Sequence, residues 1–281
     1  MSKISVVINT YNEEKNIANV IGSVEDWTDE IIVVDMHSSD RTATIALSMG
    51  AKVFLHENLG YADPARAFAI AKSSHDWILM LDADEMVPYE LSKILKKIME
   101  SGDFDAVNIP WINYLFGKHI ENTGWGGHQD KHIRFFKKGC VIADSKIHNF
   151  LHPIDTARVL DLKLDKNLGI VHFNYKNLSH FIEKMNRYTS IEASKVKSDD
   201  KMFLSRLLIV PVMEFFKRFL YRKGYKDGMY GFILSVFMMF YKFLSYAKAY
   251  EDTVIKNFGN SDKTYKIIAS EILKEYENQK V

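Results

Sequence analysis

Along residues 1–100, short apolar runs alternate with stretches whose apolar positions recur at helical spacing. Residues 4–9 (Ile-Ser-Val-Val-Ile-Asn) form a β-branched run that predicts a buried strand. After Asn12-Glu13-Glu14, the spacing of Ile17, Val20, Ile21 and Val24 predicts a helix whose acidic start complements its dipole. Glu30–Asp35 reads as the second strand, and Ser38-Ser39-Asp40 caps a helix carrying Thr44, Ile45 and Leu47. A third strand over 52–56 and a helix over 64–72, with Pro64 near its first turn, come next. A fourth strand over 77–81 and a helix over 89–99 close the pattern.

Strands alternating with helices build βαβ units, hence a mostly parallel sheet with helices on both faces. Ligands of such sheets bind beyond the carboxyl ends of the strands. Three polar clusters fall there: Thr10-Tyr11-Asn12-Glu13, Asp35 to Asp40, and Asp82-Ala83-Asp84. Their convergence on one crevice is the central expectation.

Composition narrows the class. With 281 residues, 47% hydrophobic and 26% charged, the chain is globular, one large domain or two small ones, and neither disordered nor fibrous. The lone Cys140 closes no internal disulfide and builds no cysteine zinc site. The N-terminus runs straight into the first strand, without the pattern of a signal peptide. Net charge is +1, yet residues 1–130 hold 10 Lys and Arg against 20 Asp and Glu, and residues 131–281 hold 27 against 16. An acidic front half suits a metal and a basic back half suits an anionic partner, unless the asymmetry is only solvated surface charge.

The crevice lacks both the glycine-rich dinucleotide fingerprint and a phosphate-binding Gly-Lys-Ser/Thr loop. Carboxylates at strand ends suit instead a hard divalent cation, Mn²⁺ or Mg²⁺, shared with substrate phosphates. Asp82 and Asp84 share one strand face if extended geometry persists. A phosphatase nucleophile is a poor match, since that Asp-x-Asp follows a first strand and here it follows the fourth.

Val7-Ile8-Asn9-Thr10-Tyr11-Asn12-Glu13-Glu14, then Ile32-Val33-Val34-Asp35 with Ser38-Ser39-Asp40-Arg41-Thr42, then Leu81-Asp82-Ala83-Asp84-Glu85 resemble the family 2 glycosyltransferases. The resemblance covers at least residues 3–100. It implies a GT-A fold, a Rossmann-like α/β domain binding a nucleoside-diphosphate sugar, with a UDP-hexose as first expectation. It would set Thr10, Tyr11 and Glu13 at the nucleotide, Asp35 at the base or ribose, Asp82 and Ala83 near the ribose or donor sugar, and Asp84 on the metal. Met36-His37 departs from the small or polar residues more usual there.

Asn113-Tyr114-Leu115-Phe116-Gly117-Lys118, Gly124-Trp125, Asp130, Arg134-Phe135-Phe136-Lys137-Lys138-Gly139 and Ile147-His148 resemble a narrower subgroup. It includes bacterial β-glucosyltransferases of the lipopolysaccharide inner core, whose pattern has Pro where this chain has Gln129. The resemblance also implies a metal- or diphosphate-contacting role for His148. Inverting transfer needs a base on the acceptor hydroxyl. Asp130 is the candidate, in a loop after Gly124-Trp125-Gly126-Gly127 whose glycines allow backbone to approach substrate, with His128 in reserve. His148 and His152 stand four apart, but Pro153 disfavours a zinc helix. His172 on a strand fits a core hydrogen bond as well as a site, and Arg134 and Lys131 could meet phosphate or simply be solvated.

The region from Lys195 to Ala249 holds 11 Lys and Arg against 4 Asp and Glu, interleaved with aromatics. Its longest uncharged run, residues 228–241, is 14 residues, short of the roughly 18 a spanning helix needs. The expectation is an interfacial element on an anionic membrane; buried helices or a homo-oligomer face compete with it. Helices are expected over 178–194 and 262–279, the latter capped by Ser261. Nucleic acid is not an expected partner. The expected organisation is a catalytic domain over 1–194, with a donor half over 1–100 and an acceptor half over 101–194, and a helical C-terminal extension over 195–281. The expected activity is inverting, metal-dependent transfer to a lipid-linked or envelope glycan, in the cytoplasm at the inner face of the cell membrane. A polyprenyl-phosphate glycosyltransferase and a non-catalytic nucleotide-sugar-binding scaffold are the alternatives.

Overall fold

The computed structural model describes residues 2–58, 63–143, 151–165, 168–196, 203–258 and 261–278. Within it the chain divides into two compact units, Met1–Leu178 and Ser179–Val281.

The first unit carries β1 (Ile4–Thr10), α1 (Ile17–Gly22), β2 (Glu30–Asp35), α2 (Thr42–Ser48), β3 (Lys52–Leu55), α3 (Asp63–Lys72) and β4 (Trp77–Asp82). There follow β5 (Glu85–Met86), α4 (Tyr89–Ser101), β6 (Ala106–Leu115), β7 (Lys118–His119) and β8 (Lys131–Lys137). Strands β9 (Val141–Ile142), β10 (His152–Pro153), β11 (Val159–Asp161) and β12 (Ile170–Tyr175) complete it. The main sheet runs β3-β2-β1-β4-β8-β6-β12-β5, with β7 and β11 also paired to β6. Strands β3, β2, β1 and β4 are parallel, β8 is antiparallel to both its neighbours, and β6 is parallel to β11 and β12. This is the mostly parallel α/β sheet expected.

Pleating explains why helices cover both faces. Successive side chains point to opposite sides of a strand. Ile4, Val6 and Ile8 of β1 therefore join Val20 of α1 and Leu91 and Leu95 of α4 in one core, while Val7 joins Ala65 and Ala69 of α3 in the other. Each fully buried aliphatic chain contributes about 1.5–3 kcal/mol. Helix α4 ends at Gly102, whose φ of 68° is the left-handed conformation that stops a helix at low cost.

The second unit holds α5 (Leu178–Ala193), α6 (Phe203–Phe216), α7 (Met229–Phe258) and α8 (Ser261–Asn278). The division falls at the first residue of α5, and polar contacts hold the rest of that helix in the second unit. Lys248 of α7 donates to the Asn186 carbonyl at 2.6 Å, and Lys242 and Ser245 reach Glu192 at 3.3 and 3.1 Å. Phe181 of α5 packs against Phe237 of α7 with ring centroids 5.3 Å apart. Helix α7 continues well past the uncharged run at 228–241. Among the described residues, Met229–Thr253 is a helix long and apolar enough to cross a membrane by length and composition.

Candidate active site

The loops after β1 and β2 are stitched to each other. Thr10 and Asp35 stand in register. Buried Asp35 accepts hydrogen bonds from the Ser38 amide at 2.9 Å and from the Ser38 hydroxyl, whose oxygen accepts from the Asn12 amide at 2.8 Å. Asn12 Oδ1 accepts from the Ser39 amide at 2.8 Å, and the Glu13 amide donates to Thr42 Oγ1 at 2.8 Å. Asp40 takes the Glu14 and Thr42 amides at 3.1 and 3.0 Å. Burial works against its charge, but the bonds from Thr42 and Glu14 outweigh it and hold the carboxyl below its ordinary range. Asn12 and His37 adopt φ of 54° and 59°, so His37 serves the sharp turn in which Met36-His37 departs from the family pattern.

Asp35 and Asp40 thus shape the rim. Tyr11 stands exposed on it, and Glu13 accepts from Asn16 Nδ2 at 2.6 Å with Lys176 3.5 Å away. The Asn9 amide and Thr10 hydroxyl are buried without a hydrogen-bond partner among the described residues. Each such group costs about 1–3 kcal/mol, so a strand end serving structure alone would do better with apolar side chains.

At the end of β4, Asp82 is locked by two guanidinium groups. Arg66 Nη2 of α3 lies 3.0 Å from Asp82 Oδ2, and Arg134 Nη2 of β8 lies 3.2 Å from it. Arg134 also donates to Glu85 Oε1 at 2.9 Å, and Glu85 Oε2 accepts from the Asp82 amide at 2.9 Å. The pairing of β6 with β8 slips between Val107 and Asn108, leaving an extra residue in β8 at this point. Such a bulge re-aims a side chain, here Arg134 across the Trp111 ring at 4.9 Å. Burial would raise the Asp82 carboxyl, yet Arg66 and Arg134 hold it well below the carboxylate range. Glu85 is pushed up to about 7 by burial and by the Asp82 charge, against the pull of Arg134.

Beside this lock runs a chain of side chains from three neighbouring strands. His172 of β12 pairs in register with Asn113 of β6 on one side and Glu85 of β5 on the other. Its Nε2 faces Asp84 Oδ1 at 3.6 Å, and its Nδ1 lies 2.9 Å from Asn113 Oδ1. An amide oxygen only accepts, so His172 Nδ1 carries the proton. Burial lowers the imidazole, but Asp84, Glu85 and Asp82 outweigh burial and its pKa is raised. Asn113 Nδ2 donates to Asp130 Oδ2 at 2.8 Å and to the Trp125 carbonyl at 2.8 Å. Asp130 Oδ1 meets His132 Nε2 at 2.8 Å. Burial lowers the His132 pKa despite Asp130, so a neutral imidazole donates Nε2–H to the carboxylate. The Trp111 ring lies 4.1 Å from His132 and 4.7 Å from His172, backing both imidazoles.

Asp82, Asp84 and Asp130 are therefore brought together, with Ala83 buried between the first two. Arg134 Nη2 is engaged by Asp82 and Glu85, while its Nε and Nη1 are buried without a hydrogen-bond partner among the described residues, and Lys131 pairs with Asp161 at 3.0 Å. His128 is exposed, and the imidazole on Asp130 is His132. His148 lies outside the described residues. The glycines before Asp130 are required by the fold of the loop itself. A Cβ on Gly126 would lie 1.9 Å from the Glu121 carbonyl oxygen, and one on Gly127 would lie 2.7 Å from that of Trp111. They admit the loop to its own backbone. Sequence reasoning passed over Asn113 and His132 as site residues; the position of His132 two beyond Asp130, at a strand start, is the spacing that could have found it.

A divalent cation would find an oxygen and a nitrogen in Asp84 and His172, with Nε2 turned to Asp84 because Nδ1 is held by Asn113. Among the described residues, no group of three His, Cys, Asp or Glu side chains forms a complete cage. That fits a metal held by one or two side chains and completed by substrate phosphates.

The family model for Glycosyl transferase family 2 matches residues 5–155, more than half of the chain. An uncharacterized glycosyltransferase of Rickettsia typhi is 31% identical over 266 residues, covering 89% of this chain and 88% of the relative. A lipopolysaccharide core biosynthesis glycosyltransferase of Rhizobium meliloti, LpsC, is 27% identical over 92% of this chain and 96% of its own. The crystal structure of glucosyl-3-phosphoglycerate synthase from Mycobacterium tuberculosis in complex with Mn²⁺, uridine diphosphate and phosphoglyceric acid matches at 26% identity and a TM-score of 0.35. That match covers 40% of this chain and 43% of the synthase chain, less than half its length.

Proposed function

The chain belongs to glycosyl transferase family 2, and from that premise we propose an inverting, metal-assisted transfer of a hexose from a nucleoside diphosphate to a hydroxyl of a lipid-linked or envelope glycan. The observation that carries this is the linkage of two acid–imidazole pairs, Asp84 with His172 and Asp130 with His132, through the one side chain of Asn113. One pair suits the leaving diphosphate and the other suits the attacking hydroxyl. The acceptor class is supported by the name of the R. meliloti relative, which spans nearly the same length.

Asp84 and His172 would hold Mn²⁺ or Mg²⁺, which when bound neutralises charge developing on the departing diphosphate. Asp130 takes the proton of the acceptor hydroxyl. Its two oxygens are fixed by Asn113 Nδ2 and His132 Nε2, so a remaining lone pair is aimed without rotation of the carboxyl. Attack from the face opposite the leaving group inverts the anomeric centre. Asp82, immobilised by Arg66 and Arg134, sets the position of the loop that presents Asp84.

The test is a transfer assay with UDP-hexoses and a lipid-linked glycan acceptor, with Mn²⁺, with Mg²⁺ and with chelator. Product of inverted anomeric configuration that requires a divalent ion is the expected outcome. Donor binding without turnover under every condition would leave a nucleotide-sugar-binding scaffold as the better description. Transfer that survives Asp130→Asn would indicate an acceptor oxygen already ionised, as in a polyprenyl phosphate.

A further inference from the structure

In the second unit one helix is apolar on its outward side as well as its inward one. Leu204, Leu208, Val212 and Phe216 of α6 recur every four residues, and each is exposed. Ile209 and Met213 widen the same side, at 55% and 62% exposure. The inward side is already filled: Phe215 and Phe219 pack on Phe232 of α7 with centroids 6.0 and 5.8 Å apart. An apolar stripe of this size on a surface marks an interaction site.

The charges at its end name the partner. Between Phe203 and Lys226 stand Arg206, Lys217, Arg218, Arg222, Lys223 and Lys226 against one acid, Glu214. That acid is committed to Arg218 at 2.6 Å, with Lys217 3.8 Å away. Tyr221, 83% exposed, and Tyr225, half exposed, sit among these cations. A second copy of the same face would bring only more cations and no counter-charge. A lipid surface offers acyl chains for the stripe and anionic headgroups for the rim, with tyrosines at the boundary where amphipathic rings settle.

We propose that α6 and the turn after it form an in-plane docking face for an anionic membrane, with Leu208, Met213 and Phe216 entering the acyl boundary and Lys217, Lys223 and Lys226 at the headgroups. This rests on the second unit alone and does not depend on the activity of the first.

The test is flotation of the full chain with vesicles of phosphatidylcholine, with and without phosphatidylglycerol, at low and high salt. Wild type rises with the phosphatidylglycerol vesicles at low salt and less with phosphatidylcholine alone. Leu208→Glu with Met213→Glu stays at the bottom while keeping its circular-dichroism spectrum. If that pair does not fold, Lys217→Gln, Lys223→Gln and Lys226→Gln together still decide: they weaken the preference for phosphatidylglycerol about fivefold per charge removed. Wild type that fails to float with phosphatidylglycerol at low salt overturns the proposal. So does a folded double variant that floats unchanged. A wild-type dimer in light scattering that Leu208→Glu with Met213→Glu dissolves, without any flotation, overturns it in favour of a second copy on this face.

Discussion

The two ends of the parallel strands treat their carboxylates in opposite ways. At the amino end, Glu30 opens β2 and receives the Ser5 hydroxyl at 2.6 Å, Lys52 at 2.7 Å, and the Ser74 amide and hydroxyl at 2.8 Å each. At the carboxyl end, Asp84 and Asp130 each face an imidazole, and the two pairs are tied to one amide, Asn113, through His172 and Asp130. Peptide and hydroxyl donors saturate a carboxylate and turn it into scaffold. An imidazole keeps it ready to exchange a proton or a cation. Asp35 and Asp40 lie at the carboxyl edge too, and amide and hydroxyl groups donate to them.

Substitutions can break this contrast, and the largest effect is expected at Asp130. Asn there keeps the shape but cannot take the acceptor proton, so kcat should fall about 10³-fold with donor affinity unchanged. Steady-state transfer and donor titration read the two separately. Next, Asp84→Asn and His172→Gln should each weaken divalent-ion affinity about a hundredfold, measured as the Mn²⁺ concentration giving half-maximal transfer. Excess Mn²⁺ should restore part of the rate in these variants and none in Asp130→Asn. Rescue of all three alike would dissolve the division of labour between the pairs.

Asn113 is where the two pairs join. Asn113→Ala removes the acceptor on His172 and the donor on Asp130 together, and should cost about ten- to a hundredfold in transfer. It should raise the Mn²⁺ requirement and lower kcat at saturating Mn²⁺, a double signature that neither end alone produces. A change in only one of these would mean that the amide serves one pair and merely touches the other.

How much of this was legible in the sequence follows the same physics. Strands β1, β2 and β4 were plain because their residues are apolar on both faces, and the clusters at their ends followed from topology. Strands β6, β8 and β12 were harder because the site itself interrupts them. Asn113, Arg134 and His172 are buried polar residues at positions where a strand pattern calls for apolar ones. Buried polar residues at the site thus erased the periodicity that would have located these strands. In α7, Lys242 and Lys248 broke the uncharged run, although both reach α5 and the helix continues.

The smallest effect sharpens the contrast from the other side. Burial would raise the Glu30 carboxyl, but Lys52, Ser5 and Ser74 bring it down to about 2 from its ordinary 4.5. A carboxylate whose folded pKa lies below its unfolded one adds stability that is complete above the unfolded value. That stability drains away as pH falls from about 4.5 towards about 2. Glu30→Gln should therefore lower unfolding stability by about 3 kcal/mol at neutral pH and leave catalysis alone, because the group is remote from the imidazole pairs. Urea midpoints followed downward in pH should converge for wild type and variant across that window, since protonation strips wild type of the advantage Gln never had. Curves that stay parallel would deny Glu30 its charge-dependent role, and a loss of transfer at neutral pH without unfolding would show that the two ends of the sheet are not separable.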